Sequence, residues 1–376
     1  MGDLKSDELP TTLNYNCHFL DRKTMQQIIE QFSHTVSEAG RTQRPLRIHG
    51  SGSKSFYGRP VQGDALDMTP YRGIVSYEPT ELVLTARAGT PLAEIEAALA
   101  AQRQMLPFEP PHFGTGATLG GCIATGLSGP RRAYAGAVRD YVLGVRMMDG
   151  KGEDLRFGGQ VIKNVAGYDV SRLMAGSLGT LGLLLEVSLK ILPLPAEELT
   201  LRFNMAQREA LDMMNRWAAQ PLSLSATCHH DGELSVRLSG ATAAIKSVRQ
   251  KLGGEIVADA TSFWHSVREQ RHPFFHAGET LWRLSLPSTA AAISVPGRQL
   301  VEWGGALRWL AGDASPATIR AAASALGGEA TLFRSPQPIA EPFHPLPAPL
   351  LVIHQRLKQS FDPHGIFNPG RMYQEF

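Results

Sequence analysis

The most informative stretch of the sequence is a glycine-rich run with no charged side chain, Gly114-Thr115-Gly116-Ala117-Thr118-Leu119-Gly120-Gly121-Cys122-Ile123-Ala124-Thr125-Gly126-Leu127-Ser128-Gly129. Six of its sixteen residues are glycine, yet Leu119, Cys122 and Ile123 lie between them, which is not typical of a flexible linker. The pattern favours a buried backbone that another group approaches closely. A ligand that consists of a flat, uncharged ring and a diphosphate would lie against such a backbone. A structural turn packed on a neighbouring helix is the alternative.

Two further glycine loops flank this run. The first, His49-Gly50-Ser51-Gly52-Ser53-Lys54, follows a predicted strand, and its glycines allow successive N–H groups to face one phosphate. It is not a Rossmann fingerprint, because Ser55 follows where a third glycine is needed, and a plain tight turn is an equal alternative. The third, Gly176-Ser177-Leu178-Gly179-Thr180-Leu181-Gly182, leads into a strand and lacks a Walker lysine. Three such loops predict one extended cofactor lying across them.

Hydrophobic spacing predicts the elements around the loops. We expect a helix over 22–38 and another over 90–102, with Thr90 as the cap of the second and Pro91 in its first turn. The order does not alternate regularly between strand and helix, so the predicted fold class is α+β rather than a doubly wound sheet. The expected strands are 45–49, 73–77, 82–88, a hairpin of 141–148 with 154–157, and a half-buried strand over 183–191.

Composition changes near Pro193-Leu194-Pro195, which suits the exit from a domain. Of the 37 glycines in the 376 residues, 24 precede residue 196, whereas all five tryptophans follow it. A length of 376 residues is also more than one domain usually needs. The second half is therefore expected to be a separate α+β domain with a bulky aromatic core.

Charge and hydropathy exclude several classes of function. Lys and Arg total 37 and Asp and Glu total 35, so we expect neither a broad nucleic-acid surface nor a basic membrane-binding run. An apolar fraction of 43% excludes global disorder. No stretch is apolar enough to predict a membrane span, and the polar N-terminus does not resemble a signal peptide.

The cysteines are too few for a disulfide framework or a four-thiolate cluster. Cys17, Cys122 and Cys228 lie far apart in the sequence, and zinc or iron–sulfur sites of that kind need four thiolates. We therefore expect a reducing, cytoplasmic location and no cluster on this chain. Any association with a membrane would come through partner subunits.

The order of these motifs resembles a known superfamily. The three loops, together with Val161-Ile162-Lys163-Asn164-Val165-Ala166-Gly167-Tyr168-Asp169, are similar to the FAD-binding domain of the vanillyl-alcohol oxidase / p-cresol methylhydroxylase superfamily. The tail Phe361-Asp362-Pro363-His364-Gly365-Ile366-Phe367-Asn368-Pro369-Gly370-Arg371 resembles its D-2-hydroxy-acid dehydrogenase branch. Residues 268–275 and 300–310 resemble the FAD-binding E subunits of bacterial glycolate oxidases.

The resemblance implies an FAD-binding domain of two subdomains over 1–195 and an α+β cap domain with an antiparallel sheet over 196–340. It implies that the C-terminal segment 341–376 returns to the flavin domain. FAD is expected to be non-covalent, because Ser53 stands where covalent members carry histidine. The residues implied to bind FAD are Gly50, Ser51, Gly52, Ser53, Lys54, Gly116, Ala117, Thr118, Gly120, Gly121, Ala124, Thr125, Gly126, Lys163, Gly182, Leu183, Leu184 and Asn368.

The sequence departs from the catalytic members of that branch. They carry a His-x-Gly-Asp-Gly-Asn-x-His string and a later Glu-His pair that bind a divalent metal, and this chain has neither. His272 and His276 are four residues apart, but Pro273 disfavours a regular helix that would align them. We therefore expect no metal site. Leu178 also replaces the glutamate of a Gly-Ser-Glu-Gly segment.

Oxidation of a 2-hydroxy acid needs a carboxylate anchor, a base for the hydroxyl proton and flavin N5 as hydride acceptor. An arginine fork matches a carboxylate, so Arg268, Arg271 and Arg334 are the candidate anchors, with ordinary surface arginines as the alternative. His272 is the first candidate base. Tyr168 is the second, although it could equally be a core tyrosine or a ring contact.

Three functional hypotheses follow. The first is an FAD subunit of a glycolate oxidase complex, which oxidises glycolate and related 2-hydroxy acids to 2-oxo acids. Its partners would be a homologous FAD-binding catalytic subunit and an iron–sulfur subunit that takes the electrons. The second is a self-sufficient FAD dehydrogenase or oxidase of another small hydroxy acid or alcohol, and the third is a non-catalytic assembly subunit. Trp303 and Trp309 would either anchor a partner or fill the core.

Overall fold

The computed structural model describes residues 22–159, 169–275, 280–337 and 340–376. Within these ranges there are two short 3-10 turns, at Pro273–Phe275 and Trp303–Gly305. The helices are α1 (Arg22–Thr42), α2 (Leu92–Ala101), α3 (Leu119–Thr125), α4 (Arg132–Ala135), α5 (Val138–Tyr141), α6 (Val170–Leu173), α7 (Gln207–Ala218), α8 (Thr242–Leu252), α9 (Ala260–Arg268), α10 (Pro316–Ala325) and α11 (Ala348–Phe361).

The strands of the first half form one antiparallel sheet and two small pairs. Along the described chain the sheet has the order β3-β4-β8-β6-β7, β1 pairs with β2 in parallel, and β5 pairs with β9. The strands are β1 (Leu46–His49), β2 (Asp64–Asp67), β3 (Ile74–Glu78), β4 (Val83–Arg87), β5 (Gln104–Met105), β6 (Val142–Met148), β7 (Asp154–Gly158), β8 (Leu183–Lys190) and β9 (Leu192–Pro193).

The strands of the second half form a larger antiparallel sheet. In the described part its order is β13-β10-β12-β11-β15-β16-β14-β17. The predicted α+β fold with an antiparallel second sheet is confirmed, whereas the divisions at 195 and 340 stay predictions. The strands are β10 (Glu197–Asn204), β11 (Leu224–His230), β12 (Glu233–Gly240), β13 (Glu255–Ile256), β14 (Leu281–Ser285), β15 (Arg298–Glu302), β16 (Leu307–Ala311) and β17 (Glu329–Arg334).

Strand β8 is buried on both faces, so the prediction of a half-buried strand was wrong. It lies at the centre of its sheet, with β4 on one side and β6 on the other. Its one acidic residue, Glu186, accepts hydrogen bonds from the Tyr71 hydroxyl at 2.9 Å and the Arg146 guanidinium at 2.8 Å. Because this carboxylate is paired, the alternating polar positions do not require a solvent-exposed face.

The first helices follow their predicted spacing with two differences. Helix α1 places Met25, Ile29 and Phe32 in the core as expected, but it continues to Thr42. The predicted cap of α2 was wrong, because Pro91 occupies the N-cap position. The Thr90 hydroxyl instead accepts a hydrogen bond from the Gly73 N–H at 2.8 Å. It therefore satisfies an N–H group of a loop rather than one at the start of a helix.

The tryptophans at the 3-10 turn and on β16 fill the core. Trp303 is 4% exposed and Trp309 5% exposed. The Trp303 indole donates to the Gly129 carbonyl at 3.0 Å, and the Trp309 indole donates to the Glu302 carboxyl at 2.8 Å. These contacts support the core-filling interpretation of the two rings and also tie the large sheet to the end of the glycine-rich run.

The C-terminal segment returns to the first half of the chain. After α11, the Ile366 carbonyl accepts from the Leu46 N–H at 2.7 Å, and the Asn368 N–H donates to the Leu46 carbonyl at 3.0 Å. The buried Lys358 ammonium donates to the Asp362 carboxylate at 2.7 Å and to the carbonyls of Thr180 at 2.8 Å and Phe367 at 2.7 Å. One buried cation thus joins α11, the third glycine loop and the tail.

No helix in the described ranges combines the length and the apolar content needed to cross a bilayer.

Replacing Lys358 with methionine should destabilise the protein by about 3–5 kcal/mol, because it leaves the buried Asp362 carboxylate without its ion-pair partner. Urea unfolding followed by circular dichroism measures the change. Lys246→Met, on the exposed face of α8, is the matched control and should change the free energy of unfolding little. Equal stability of the two variants would contradict this account of the tail.

Candidate functional site

A cavity of about 420 Å³ lies where the three glycine loops meet. A second cavity of about 70 Å³ shares part of its wall and adds Met68, Ala88, Gly120, Gly179, Gly182 and Leu184. The loops therefore converge in space, as the sequence predicted. The residues that line the larger cavity are Arg47, Ile48, His49, Gly50, Ser51, Gly52, Ser53, Lys54, Ser55, Pro60, Val61, Thr118, Gly121, Ala124, Thr125, Leu178, Asn368 and Arg371.

The first loop lies directly against the start of α3. A Cβ atom at Gly50 would be 2.4 Å from the Thr118 hydroxyl, a distance that no side chain tolerates. Gly52 has φ of +77°, in the left-handed region that favours glycine. The Thr118 hydroxyl also accepts from the Gly121 N–H at 3.2 Å and so caps α3. Because of these contacts, the main chain of both loops reaches the cavity wall.

Two adjacent glycines in α3 have different surroundings. A Cβ at Gly120 would lie 2.9 Å from the Ala88 Cβ and 3.0 Å from the Ala88 carbonyl oxygen, so this residue permits helix α3 to pack on the sheet. At Gly121 a Cβ would lie 3.2 Å from the Thr118 hydroxyl oxygen, and no other atom of the described residues outside the helix's own backbone is within 4 Å; the residue lines both cavities. A side chain at Gly121 would therefore enter the cavity rather than the core.

The charged side chains that line the larger cavity are all basic or potentially basic. They belong to Arg47, His49, Lys54 and Arg371, and no carboxylate of the described chain lines it. Lys54 is buried and donates to the His112 carbonyl at 3.1 Å, and burial lowers the pKa of its ammonium group. Such a basic lining attracts an anion.

Asn368 and Leu178 hold the inner end of the cavity. The Asn368 side chain accepts from the Ile48 N–H at 2.9 Å and donates to the Leu178 carbonyl at 2.7 Å, so it joins β1 to the third loop. Leu178 has φ of +51°, and its N–H donates to the Ala124 carbonyl at 2.8 Å. Asn368, predicted to contact a cofactor, thus also fixes the position of two cavity walls.

Some residues predicted to bind a cofactor do not line either cavity. Gly116 faces Ser51, Ala117 and Leu183 are in the core, and Gly126 abuts the backbone of Gly176. Lys163 and Tyr168 fall outside the residues that the structure describes. Three residues that line the larger cavity, Arg47, His49 and Arg371, are absent from the predicted set, although His49 and Arg371 belong to the quoted motifs.

The candidate catalytic residues of the second half do not meet at the large cavity. The His272 ring packs 5.6 Å from the His230 ring, and burial lowers the pKa of His272 to about 4. Arg271 is exposed. Arg268 donates to Glu269 at 2.8 Å, and Arg334 donates to Gln270 at 2.9 Å and stacks on Phe56. Arg268 and Arg334 therefore already have partners within the protein.

In the described ranges, no three side chains of His, Cys, Asp or Glu come together in a way that could hold a metal ion.

Comparison with known proteins identifies the family. Residues 27–158 match the model of the FAD binding domain. The chain is 52% identical over 350 residues to glycolate oxidase subunit GlcE of Escherichia coli (strain K12). This match covers 93% of this chain and 97% of that protein. It is 31% identical over 159 residues to glycolate oxidase subunit GlcD of Bacillus subtilis (strain 168), a match that covers 42% of this chain and 34% of GlcD.

A solved structure supports the fold. The structure of an alkyldihydroxyacetonephosphate synthase superposes with a TM-score of 0.62 at 15% identity and covers 90% of this chain and 74% of that one. The predicted FAD-binding domain of the p-cresol methylhydroxylase type is thereby confirmed, and the cofactor of the family is FAD. Because the GlcE match runs through nearly the whole of both chains, this chain belongs to the glycolate oxidase subunit GlcE family of FAD-dependent oxidoreductases.

Proposed function

We propose that this chain is the FAD-binding E-type subunit of a glycolate oxidase, an enzyme that converts glycolate and related 2-hydroxy acids to 2-oxo acids. The observation that carries the proposal is the basic cavity formed by the three glycine loops. Similarity to GlcE over nearly the full length supports the choice of reaction. The flavin, when bound, supplies the acceptor for the hydride that leaves the alcohol carbon.

The residues of the cavity suit a dinucleotide. Ser51, Ser53 and the amides of Gly50 and Gly52 would hold the diphosphate, and Lys54 would balance part of its charge. Thr118, Gly121, Ala124 and Thr125 form the wall against which a flat ring could lie, because none of them projects a large side chain. Gly182 and Leu184 line the deeper part. The open space beside Gly121 is what a bound group would fill.

We propose that FAD is bound without a covalent link. Ser53 carries no nucleophilic ring nitrogen, and Nδ1 of the nearby His49 lies 2.8 Å from the Gly50 carbonyl. Non-covalent binding predicts that acid precipitation of the protein releases all of the flavin into the supernatant.

Electrons would leave through partner subunits, a homologous FAD-binding catalytic subunit and an iron–sulfur subunit. The chain has three cysteines, and a four-thiolate cluster needs four. Both described cysteines are buried, and burial raises the pKa of Cys122 to about 12 and that of Cys228 well above its usual value. Neither of these thiols is suited to electron transfer or metal binding.

Gly121→Val should abolish retention of FAD, because its side chain would enter the cavity, while the fold persists. The visible absorbance of the purified protein measures bound flavin. Gly120→Val is the matched control, since a side chain there meets Ala88 and should lower the thermal stability of the FAD-free protein. Retention of FAD by the Gly121 variant would contradict the proposed position of the cofactor.

Anaerobic addition of glycolate should bleach the flavin absorbance of this chain when it is co-purified with its partner subunits. The same experiment with the chain alone distinguishes a complex from a self-sufficient dehydrogenase. If neither glycolate nor D-lactate reduces the flavin of an FAD-loaded complex, the proposed 2-hydroxy-acid oxidase activity is refuted. Stopped-flow absorbance gives the rate for each acid.

A further inference from the structure

A third, smaller cavity of about 30 Å³ lies between the two halves of the chain. The first half contributes Phe113, Gly129 and Pro130, and the inner face of the large sheet contributes Arg283, Glu302 and Trp309. The Trp303 indole bonds to the Gly129 carbonyl at 3.0 Å and so fixes the distance between these walls. The lining is mixed, because Ser128, Arg268 and Gln270 stand beside the aromatic and apolar groups.

Glu302 brings a buried carboxyl to this cavity. The side chain is 4% exposed, and its Oε1 accepts from the Trp309 indole at 2.8 Å. Within the described chain no basic side chain forms an ion pair with it. Burial raises the pKa of Glu302 to about 7, although Trp309 and Arg283 oppose that shift. A carboxyl in such surroundings costs stability when ionised, which is typical of functional positions.

Arg283 brings the opposite charge to the same cavity. Its guanidinium lies 5.3 Å from the centre of the Trp303 ring, and that of Arg132 lies 4.4 Å from the same ring. No carboxylate of the described residues is within ion-pair distance of either arginine. A half-buried guanidinium without a carboxylate partner presents its fork to an incoming carboxylate.

The other charged and polar groups around the cavity already have partners. Arg268 is bound to Glu269 at 2.8 Å, and Gln270 accepts from Arg334 at 2.9 Å. The negative charge of Glu109 also raises the pKa of Glu302. Glu109 itself forms ion pairs with Arg237 at 2.9 Å and with Arg131 at 3.3 Å. Cys228 faces Glu302 from β11, and its thiol stays neutral because burial raises its pKa. Arg283 and Glu302 are therefore the pair available to a ligand.

We propose that this cavity is a substrate site on the chain itself, in which Arg283 binds the carboxylate of a two-carbon 2-hydroxy acid and Glu302 accepts the proton of its hydroxyl group. The O–H bond breaks as the proton passes to the Glu302 carboxylate. When bound, the flavin of the proposed function, on which this inference rests, would supply the acceptor for the hydride from the same carbon.

The arrangement has a consequence for pH. With Glu302 protonated, the cavity holds one positive group and accepts an anion readily. With Glu302 ionised, its charge repels the carboxylate of the ligand. Affinity for an anion should therefore fall as the pH rises through about 7.

Oxalate is a suitable probe, because it is a two-carbon carboxylate without a hydrogen that could be transferred. The FAD-loaded chain is titrated with oxalate while tryptophan fluorescence is recorded, since Trp309 donates to Glu302. Arg283→Met should weaken binding by about tenfold or more, and Arg283→Lys by less. Glu302→Gln should keep binding at low pH and remove its pH dependence.

Exposed residues of the same types provide the controls. Arg208→Met and Glu255→Gln should leave affinity, pH dependence and FAD content unchanged. A wild-type chain that purifies without FAD would refute the proposed function itself. An FAD-loaded wild type that does not bind oxalate, or whose affinity the Arg283 variants leave intact, would refute only the substrate site, provided that circular dichroism shows all variants folded.

Discussion

The structure depends on close contacts between segments at positions where only glycine fits. Gly50 lies on Thr118, Gly120 on Ala88, and Gly126 on Gly176, and at each position a Cβ atom would come within 3.0 Å of its neighbour. These contacts bring three segments distant in sequence to the wall of one cavity. The same absence of side chains leaves main-chain amides accessible, so one constraint both packs the loops and equips them to bind a phosphate.

Such a backbone wall needs support from outside the loops, and the tail supplies it. Asn368 joins β1 to the third loop through its amide, and the Lys358 ammonium bonds to the carbonyl of Thr180 in that same loop. The tail also adds Arg371 to the cavity lining. The Arg371 guanidinium donates to the Arg59 carbonyl at 2.6 Å. A segment far along the chain thus contributes rigidity and adds to the positive charge that Lys54 of the first loop already supplies.

Local patterns predicted the loops and most elements, whereas features set by packing escaped prediction. The glycine runs have a backbone requirement that is visible in sequence, so their convergence could be predicted. Strand β8 alternates like a half-exposed strand, and only its central place in the sheet explains its burial. The candidate base was chosen by residue type, which favoured His272. Glu302 looks ordinary in sequence, and only burial, its bond to Trp309 seven residues on and the adjoining cavity distinguish it.

The proposed flavin cavity and the proposed substrate cavity would divide the chemical work between the halves of the chain. The glycine-loop cavity offers basic and neutral groups but no carboxylate from the described residues, so it suits a phosphate and cannot take a proton from a neutral alcohol at neutral pH through a carboxylate. The large sheet offers Glu302, which titrates near pH 7, beside Arg283. Because the Trp303 indole holds the Gly129 carbonyl, the glycine-rich run that lines one cavity also borders the other. A ligand that orders this run at one end should therefore shape the acid–base pocket at the other.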